Sequence, residues 1–308
     1  MHAYKAFGLN ISSEIPLPEL IEGDPAGNVD LIIKIGDFNL PKLRKTQIYR
    51  RGIRADFGQD LSGNLYLTWE HLAAFQASEG NVLTVLPYTQ DPNLLSLFTV
   101  SEAMGLILFQ KGYFLLHASS VLVGDEAWCF MGSPGAGKST TAAAFIKAGC
   151  KLLSDDLTAI DFNSSNVPYI IPAYPQLKIW DKTVNGLEYD KTDLQPVSEG
   201  VNKFSYQPKQ GFPSEPVRLG KIIFLHKARN KKSSQPLNAV EIPTELLKNF
   251  PLPVILLSGD ALKIHFLQSF KCAKSADIIQ KRRPEGFDKL ASWVEESVSI
   301  FVNSEMNV

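Results

Sequence analysis

Eight consecutive residues, Gly132-Ser133-Pro134-Gly135-Ala136-Gly137-Lys138-Ser139, make a full G-x-x-x-x-G-K-[ST] phosphate-binding pattern. Gly132, Gly135 and Gly137 let the main chain turn tightly and approach phosphates with no Cβ in between. The amides of Gly135 to Thr140 are expected to face the anion at a helix N-terminus, where partial positive charge collects. Lys138 is the expected partner of the β- and γ-phosphates, and the Ser139 hydroxyl the expected ligand of Mg²⁺. Pro134 lacks an N–H and only stiffens the outside of the turn. ATP and Mg²⁺ are the implied cofactors, held by residues Gly132 through Thr140.

A second group follows at Ser154-Asp155-Asp156. Two adjacent carboxylates beside a Mg·ATP site have two jobs available: one holds the metal, the other takes a proton from an attacking hydroxyl. Asp-Asp is also a frequent turn sequence. Upstream, His117 interrupts an apolar run from Tyr113 to Val123. A neutral imidazole there can orient a carboxylate or relay a proton, and a packed core histidine fits the run equally well.

These residues need a scaffold that brings them together. Ala127 to Met131 reads as a buried strand entering the loop, and Thr140 to Ala148 as the helix leaving it. Lys151 to Ser154 is a short strand ending on the paired aspartates. Strand, glycine-rich loop and helix in that order are the context the phosphate-binding pattern requires.

The order LLHASSV, GSPGAGKS, GCKLLSDD resembles the catalytic domain of HPr kinase/phosphorylase, at closely similar separations. It is more similar still to shorter kinases of that superfamily, some of which phosphorylate a serine in a lasso-peptide precursor. AYKAFGLNISSEIPLPEL and AFQASEGN have the look of that subgroup, and the specific overlap spans residues 94–175. The resemblance implies an α/β P-loop kinase core similar to the nucleotide-binding domain of phosphoenolpyruvate carboxykinase. It also implies Mg·ATP-dependent transfer to a serine hydroxyl. Residue by residue, Gly132, Gly137, Lys138 and Ser139 take the phosphate-loop roles. Asp155 stands where the family has its proton acceptor, and Asp156 where that residue's neighbour stands, leaving Asp156 to the metal with Ser139. His117 takes the place of the family's histidine, so Asp155, His117 and Lys138 form the implied catalytic set. The Glu-, Arg- and Gly-rich second signature of HPr kinases is missing; Pro175-Gln176-Leu177-Lys178-Ile179-Trp180-Asp181 stands there instead. That departure bears on HPr recognition and phosphorolysis, not on the ATP site.

The remainder of the 308 residues is read more coarsely. Residues 1–92 form a smaller β-rich N-terminal domain, with strands at Val29–Ile35, Asn64–Trp69 and Asn81–Leu86. It precedes a P-loop kinase domain over 93–308, and having no chemistry of its own it is expected to position the acceptor or pack on the core. Leu94 to Gln110 reads as an amphipathic helix with Glu102 in solvent. Residues 185–216 read as an irregular loop flanked by Lys203, Lys209 and Arg218, any of which could neutralise charge near the γ-phosphate. Lys178 reads as a surface lysine or a contact to phosphate or an acidic acceptor, and Lys281-Arg282-Arg283-Pro284 as a solvated edge or a contact to nucleotide phosphates or an acidic peptide. Helices are expected at Pro243–Asn249, Asp260–Ala273 and Phe287–Val302, with His265 structural, and a strand at Leu219–Leu225. A net charge of −1 favours neither nucleic acid nor an anionic membrane as partner. Cys129, Cys150 and Cys272 lack metal-ligand spacing and read as reduced thiols of a cytoplasmic protein. No signal peptide and no spanning helix are expected. A homo-oligomer stays open.

The expected function is a kinase acting on a serine of a peptide or small protein. A kinase of a small hydroxylated metabolite and a nucleotide-dependent regulatory module are the alternatives.

Overall fold

The computed structural model describes residues 1–197, 202–208, 211–230 and 232–305, the last five of these as helical backbone only. Lys209, one of the expected flanking cations, lies outside the described residues. The fold is mixed α/β, and among the described residues it is built on two nine-stranded sheets and a small three-stranded one.

The first sheet comprises β1 (His2–Ala6), β2 (Leu9–Ser13), β3 (Ile21–Glu22), β4 (Leu31–Ile35), β5 (Arg44–Arg50), β6 (Ile53–Gln59), β7 (Leu65–Trp69), β8 (Ala73–Ser78) and β9 (Val82–Pro87). Its order is β3-β1-β2-β4-β9-β8-β7-β6-β5, so β5 is an edge strand. Along β8 nearly every residue is buried, because the helical segment that follows covers one of its faces.

That segment is α1 (Pro92–Phe98), a π-type turn at Thr99–Ala103, and α2 (Met104–Gln110). Asp91 caps α1 by accepting the amides of Asn93 and Leu94, and Pro92 sits where a missing N–H costs nothing. The single helix expected from the sequence is thus broken at Ser101, whose φ of −99° and ψ of −118° are non-helical. Pro92–Gln110 has the length and composition of a membrane span, against the sequence expectation, yet 72% of its apolar window is buried inside the fold. Its Leu97, Phe98, Leu106 and Leu108 share one core with Trp69 and Phe75 of the first sheet and with Leu115, Ala159 and Ile171 of the second. Trp69 meets Phe75 and Phe98 edge-on, the favoured aromatic arrangement.

The chain then runs through β10 (Phe114–Leu116), β11 (Ser119–Val123), β12 (Glu126–Met131), α3 (Lys138–Lys147), β13 (Lys151–Ser154), β14 (Thr158–Phe162) and β15 (Pro168–Ile171). Next come β16 (Leu177–Trp180), α4 (Asp181–Gly186), β17 (Leu194–Pro196) and β18 (Lys203–Tyr206). Part of the expected irregular loop is therefore ordered: β17 and β18 pair antiparallel, and β18 also pairs β16. The last elements are β19 (Val217–His226), β20 (Ser234–Pro236), α5 (Ile242–Lys248), α6 (Asp260–Ser275), β21 (Asp277–Arg282) and α7 (Phe287–Glu305). In the second sheet β12, β19 and β21 are parallel neighbours, with an apolar centre at Ala127–Met131 of β12, Ile222–Leu225 of β19 and Ile278–Ile279 of β21. α3 packs beneath that sheet with α7, through Phe145 and Trp293. β21 lies between β19 and β20, so the basic residues at its end are not on a sheet edge.

Candidate active site

Strand direction decides which residues meet. β13 and β12 are both antiparallel to β11, so β13 and β12 run the same way and end on the same side. The phosphate loop leaves β12 there, and Asp155 leaves β13 there. β11 starts from that side, with Ser119 opposite Phe130 and Ser120 opposite Ser154. His117 falls where the expected Tyr113–Val123 strand is split: β10 pairs with β14, and β11 with β12 and β13. The chain changes partners at His117-Ala118, which puts the histidine at the open end of the sheet instead of within it. This is the strand-end position where α/β sheets bind ligands.

The phosphate loop is shaped by two glycines with no tolerance for a side chain. Gly132 has φ +139°, and a Cβ on it would lie 2.6 Å from the Leu225 carbonyl oxygen at the end of β19. Gly137 has φ +104°, and a Cβ on it would lie 2.5 Å from Cδ of Arg283. Gly137 occupies the N-cap of α3 with no side chain capping the helix, so the first amides of α3 have no intrahelical acceptor. Ser133, Pro134 and Gly135 are exposed, Ala136 is buried, and Ser139 and Thr140 are half-buried. Thr140 shares a hydrogen bond of 2.9 Å with Thr183 of α4. Lys138 is buried and folds back to donate to the Gly132 carbonyl at 3.0 Å. Burial pulls its ammonium pKa down, opposed by the charges of Asp156 and Asp155.

Asp155 joins the pieces. Its Oδ1 accepts from Ser119 at 2.6 Å and from Ser139 at 3.0 Å, and its Oδ2 accepts the Lys178 amide at 2.9 Å. Burial, then the neighbouring Asp156 charge, push its carboxyl up to about 6. Asp156 takes the left-handed region, φ +64°. Its Oδ2 lies 3.6 Å from Nζ of Lys178. Burial pushes Asp156 up, but Lys178, Lys203, His117 and Arg50 outweigh it and hold the carboxyl well below the usual range. The structure thus brings Asp155 to the Ser139 hydroxyl, while Asp156, expected there, faces Lys178.

Buried hydroxyls brace this end of the sheet: Ser120 meets Ser154 at 2.5 Å, Ser154 meets Thr158 at 2.6 Å, and Thr158 donates to the Ala118 carbonyl at 3.1 Å. His117 is half-buried, its amide bound to the Asn249 carbonyl at 2.7 Å. Burial, then the Lys138 charge, lower its pKa, so the imidazole is neutral near pH 7. A cleft of about 610 Å³ opens over the loop, lined by Gly132, Ser133, Pro134, His117, and Gln47 and Tyr49 of β5. Beneath it His117, Asp155, Asp156, Lys178, Arg50 and Glu102 line a small inner pocket. A larger concavity, lined by Lys45, Arg54, Glu70 and His71, lies on the first sheet and holds none of these groups.

Among solved structures, the chain superposes on the Hpr(Ser) kinase/phosphatase from Coxiella burnetii with a TM-score of 0.30 and 12% sequence identity, covering 63% of this chain and 92% of that one. A likeness that slight carries no argument about activity. No family model and no curated protein matches the chain.

Arg50 escapes the sequence reading, and Glu102, Lys178 and Arg283 take one of the places it left open or set aside. Arg50, at the end of β5, pairs in the inner pocket with Glu102, which is half-buried rather than solvated. Lys178 is buried, its amide on one aspartate and its ammonium beside the other. Arg283, from the basic run of β21, crosses the phosphate loop at Gly137, while Lys281 lies over Trp293 and Arg282 binds the Ala228 and Arg229 carbonyls. Of the expected flanking cations, Lys203 is near enough to Asp156 to lower its pKa. Arg218 is ion-paired to Glu126 at the far end of β19.

Proposed function

We propose that the chain is an ATP- and Mg²⁺-dependent kinase that transfers the γ-phosphoryl group to a serine hydroxyl of a peptide or small protein. One observation carries the reading: the buried Asp155 carboxylate accepts the hydroxyl of phosphate-loop Ser139. A glycine-rich turn without phosphate chemistry has no use for a carboxylate held at that point. The uncapped N-terminus of α3 and Lys138 are suited to cradle the polyphosphate.

The donor set fits Mg²⁺. A hard cation takes hydroxyl and carboxylate oxygens, and Ser139 with Asp155 supplies both within hydrogen-bonding distance of each other. Bound there, the ion would supply charge neutralisation on the phosphates. The geometry favours this division over one that sets Asp156 beside Ser139. Asp156, the more exposed carboxylate and a neighbour of His117 in the inner pocket, is then the group placed to take the acceptor's proton. Lys178 orients both carboxylates, and Lys138 and Lys203 add positive charge where the transferring group gathers negative charge.

The cleft beside Ser133 and Pro134 is open and about 610 Å³, a shape that admits a peptide segment. Mass spectrometry of serine-bearing peptides after incubation with enzyme, ATP and Mg²⁺ tests the proposal, with a gain of one phosphate expected on serine. ATP consumption that responds to small alcohols and to no peptide points to the metabolite kinase. ATP binding with no transfer to either points to the regulatory module.

A further inference from the structure

The hairpin of β5 and β6 carries Lys42, Arg44, Lys45, Arg50, Arg51 and Arg54 within thirteen residues, in a chain whose net charge is −1. Lys42, Arg44, Lys45 and Arg51 are exposed, and Arg54 is half-buried beside the Tyr49 ring. None of these five forms an ion pair with a described residue. Asp56, cross-strand from Lys45, is the hairpin's one carboxylate before Asp60. β5 is also the sheet's edge, and among the described residues no strand pairs with its outer side. Cations on an open edge are a common device against aggregation. This row differs because it leads into the site. A bulge between Lys45 and Tyr49 re-aims the strand, Gln47, Ile48 and Tyr49 line the cleft opposite Gly132, Ser133 and Pro134, and Arg50 enters the inner pocket.

We infer that β5 is the docking track of the acceptor: an extended, acidic peptide segment adds along this edge, its carboxylates on Lys42, Arg44 and Lys45, and leads its hydroxyl into the cleft at His117. Main-chain pairing supplies affinity and the cation row supplies selection for acidic sequence. The inference rests on the peptide-kinase reading and names its acceptor class.

Fluorescence anisotropy of a short labelled Asp/Glu-rich peptide with one serine tests it on the full chain. The acidic peptide is expected to bind more tightly than a Lys-rich or neutral peptide of the same length. Its affinity is expected to fall about tenfold or more between about 50 and about 300 mM salt. The triple variant Lys42→Glu, Arg44→Glu, Lys45→Glu should lose that binding to a similar extent and keep its affinity for labelled ATP. Methylating alternate peptide amides should weaken binding as well. Equal affinity for neutral and acidic peptides, unchanged binding by the triple variant, indifference to amide methylation, or equal affinity for an oligothymidylate or phosphatidylserine vesicles would overturn the inference. The ATP arm separates the two levels: loss of ATP binding in the parent chain sinks the kinase reading, whereas the peptide arms judge the track alone.

Discussion

Arg50 and Glu102 form a two-point ion pair, Nε to Oε2 and Nη2 to Oε1, both at 2.8 Å. One residue ends an edge strand of the first sheet and the other sits in the π-type turn between α1 and α2. A regular helix through Ser101 would set Glu102 at a different angle, and π-type turns recur at functional sites. Burial would raise the Glu102 pKa, but the Arg50 charge and its hydrogen bonds reverse this and hold it down.

A buried pair of this kind is costly to break and cheap to replace whole. Arg50→Met leaves Glu102 buried without its cation, and a loss of roughly 3 kcal/mol in unfolding free energy is expected. Adding Glu102→Met should restore most of that stability. Transfer activity should stay low in the double variant, since the inner pocket has lost one of its two cations. Denaturant unfolding and phosphoryl transfer measured on both variants check this; recovery of activity along with stability reduces the pair to a structural tie.

The two aspartates should separate by pH and by ligand. Asp155 holds its proton more tightly folded, near pH 6, than its ordinary 3.8. Its burial penalty is therefore absent at acid pH, grows as pH rises from about 4 to about 6, and is complete above that. Without nucleotide, the melting temperature of Asp155→Asn relative to the parent should shift in the variant's favour across that window and then level off. The same variant should need more Mg²⁺ for any residual transfer. Asp156→Asn should keep ATP affinity and lose about 10²–10⁴ in turnover, as for a missing proton acceptor. A flat melting difference from pH 4 to 7 counts against the burial of a charged Asp155.

Much of this site was legible in the sequence because its parts are local. The phosphate loop is eight contiguous residues flanked by a strand and a helix, and the paired aspartates end the next strand. Direction and register then bring Ser119, Ser139 and Asp155 together. Arg50 and Glu102 were illegible because their meaning depends on a contact between two sheets and on a non-helical residue within an apolar helical run. Lys178 was misweighted because its flanks, Pro175 and Trp180, suggest a surface, whereas its amide and ammonium are both committed to the aspartates. Asp155 meets Ser139 while Asp156 meets Lys178, and nothing in Asp-Asp announces that division.

Gly137 couples the loop to the basic run of β21. Ala at this position carries a Cβ in the left-handed region, a cost of about 1–2 kcal/mol, and drives that Cβ into Arg283. Arg283→Ala removes the obstruction. Gly137→Ala alone is expected to weaken labelled-ATP binding by more than about tenfold and to destabilise the fold. Combined with Arg283→Ala it should recover part of the stability but little ATP affinity, since the loop geometry stays altered. Isothermal titration and thermal melts on the single and double variants report this; full recovery of ATP binding in the double variant shows that the collision, not the backbone, was the fault.

His265 on α6 is the group whose titration should be felt in the whole fold and not in the chemistry. It is 3% exposed, between the rings of Phe114 at 4.8 Å and Phe250 at 5.8 Å. Burial lowers its pKa from 6.5 to about 4. Between those values the unfolded chain binds a proton that the folded chain refuses, so stability falls as pH drops from about 6.5 to about 4. The full effect is of order 2–3 kcal/mol. His265→Phe keeps an aromatic ring in the slot and removes the titration, so its stability should vary less over that range, while transfer measured at pH 7 stays near the parent value. Melting curves at pH 4.5, 5.5 and 6.5 decide the matter. An equal acid slope in parent and variant would place the acid sensitivity elsewhere, with His117, whose pKa burial also lowers, the next imidazole to test.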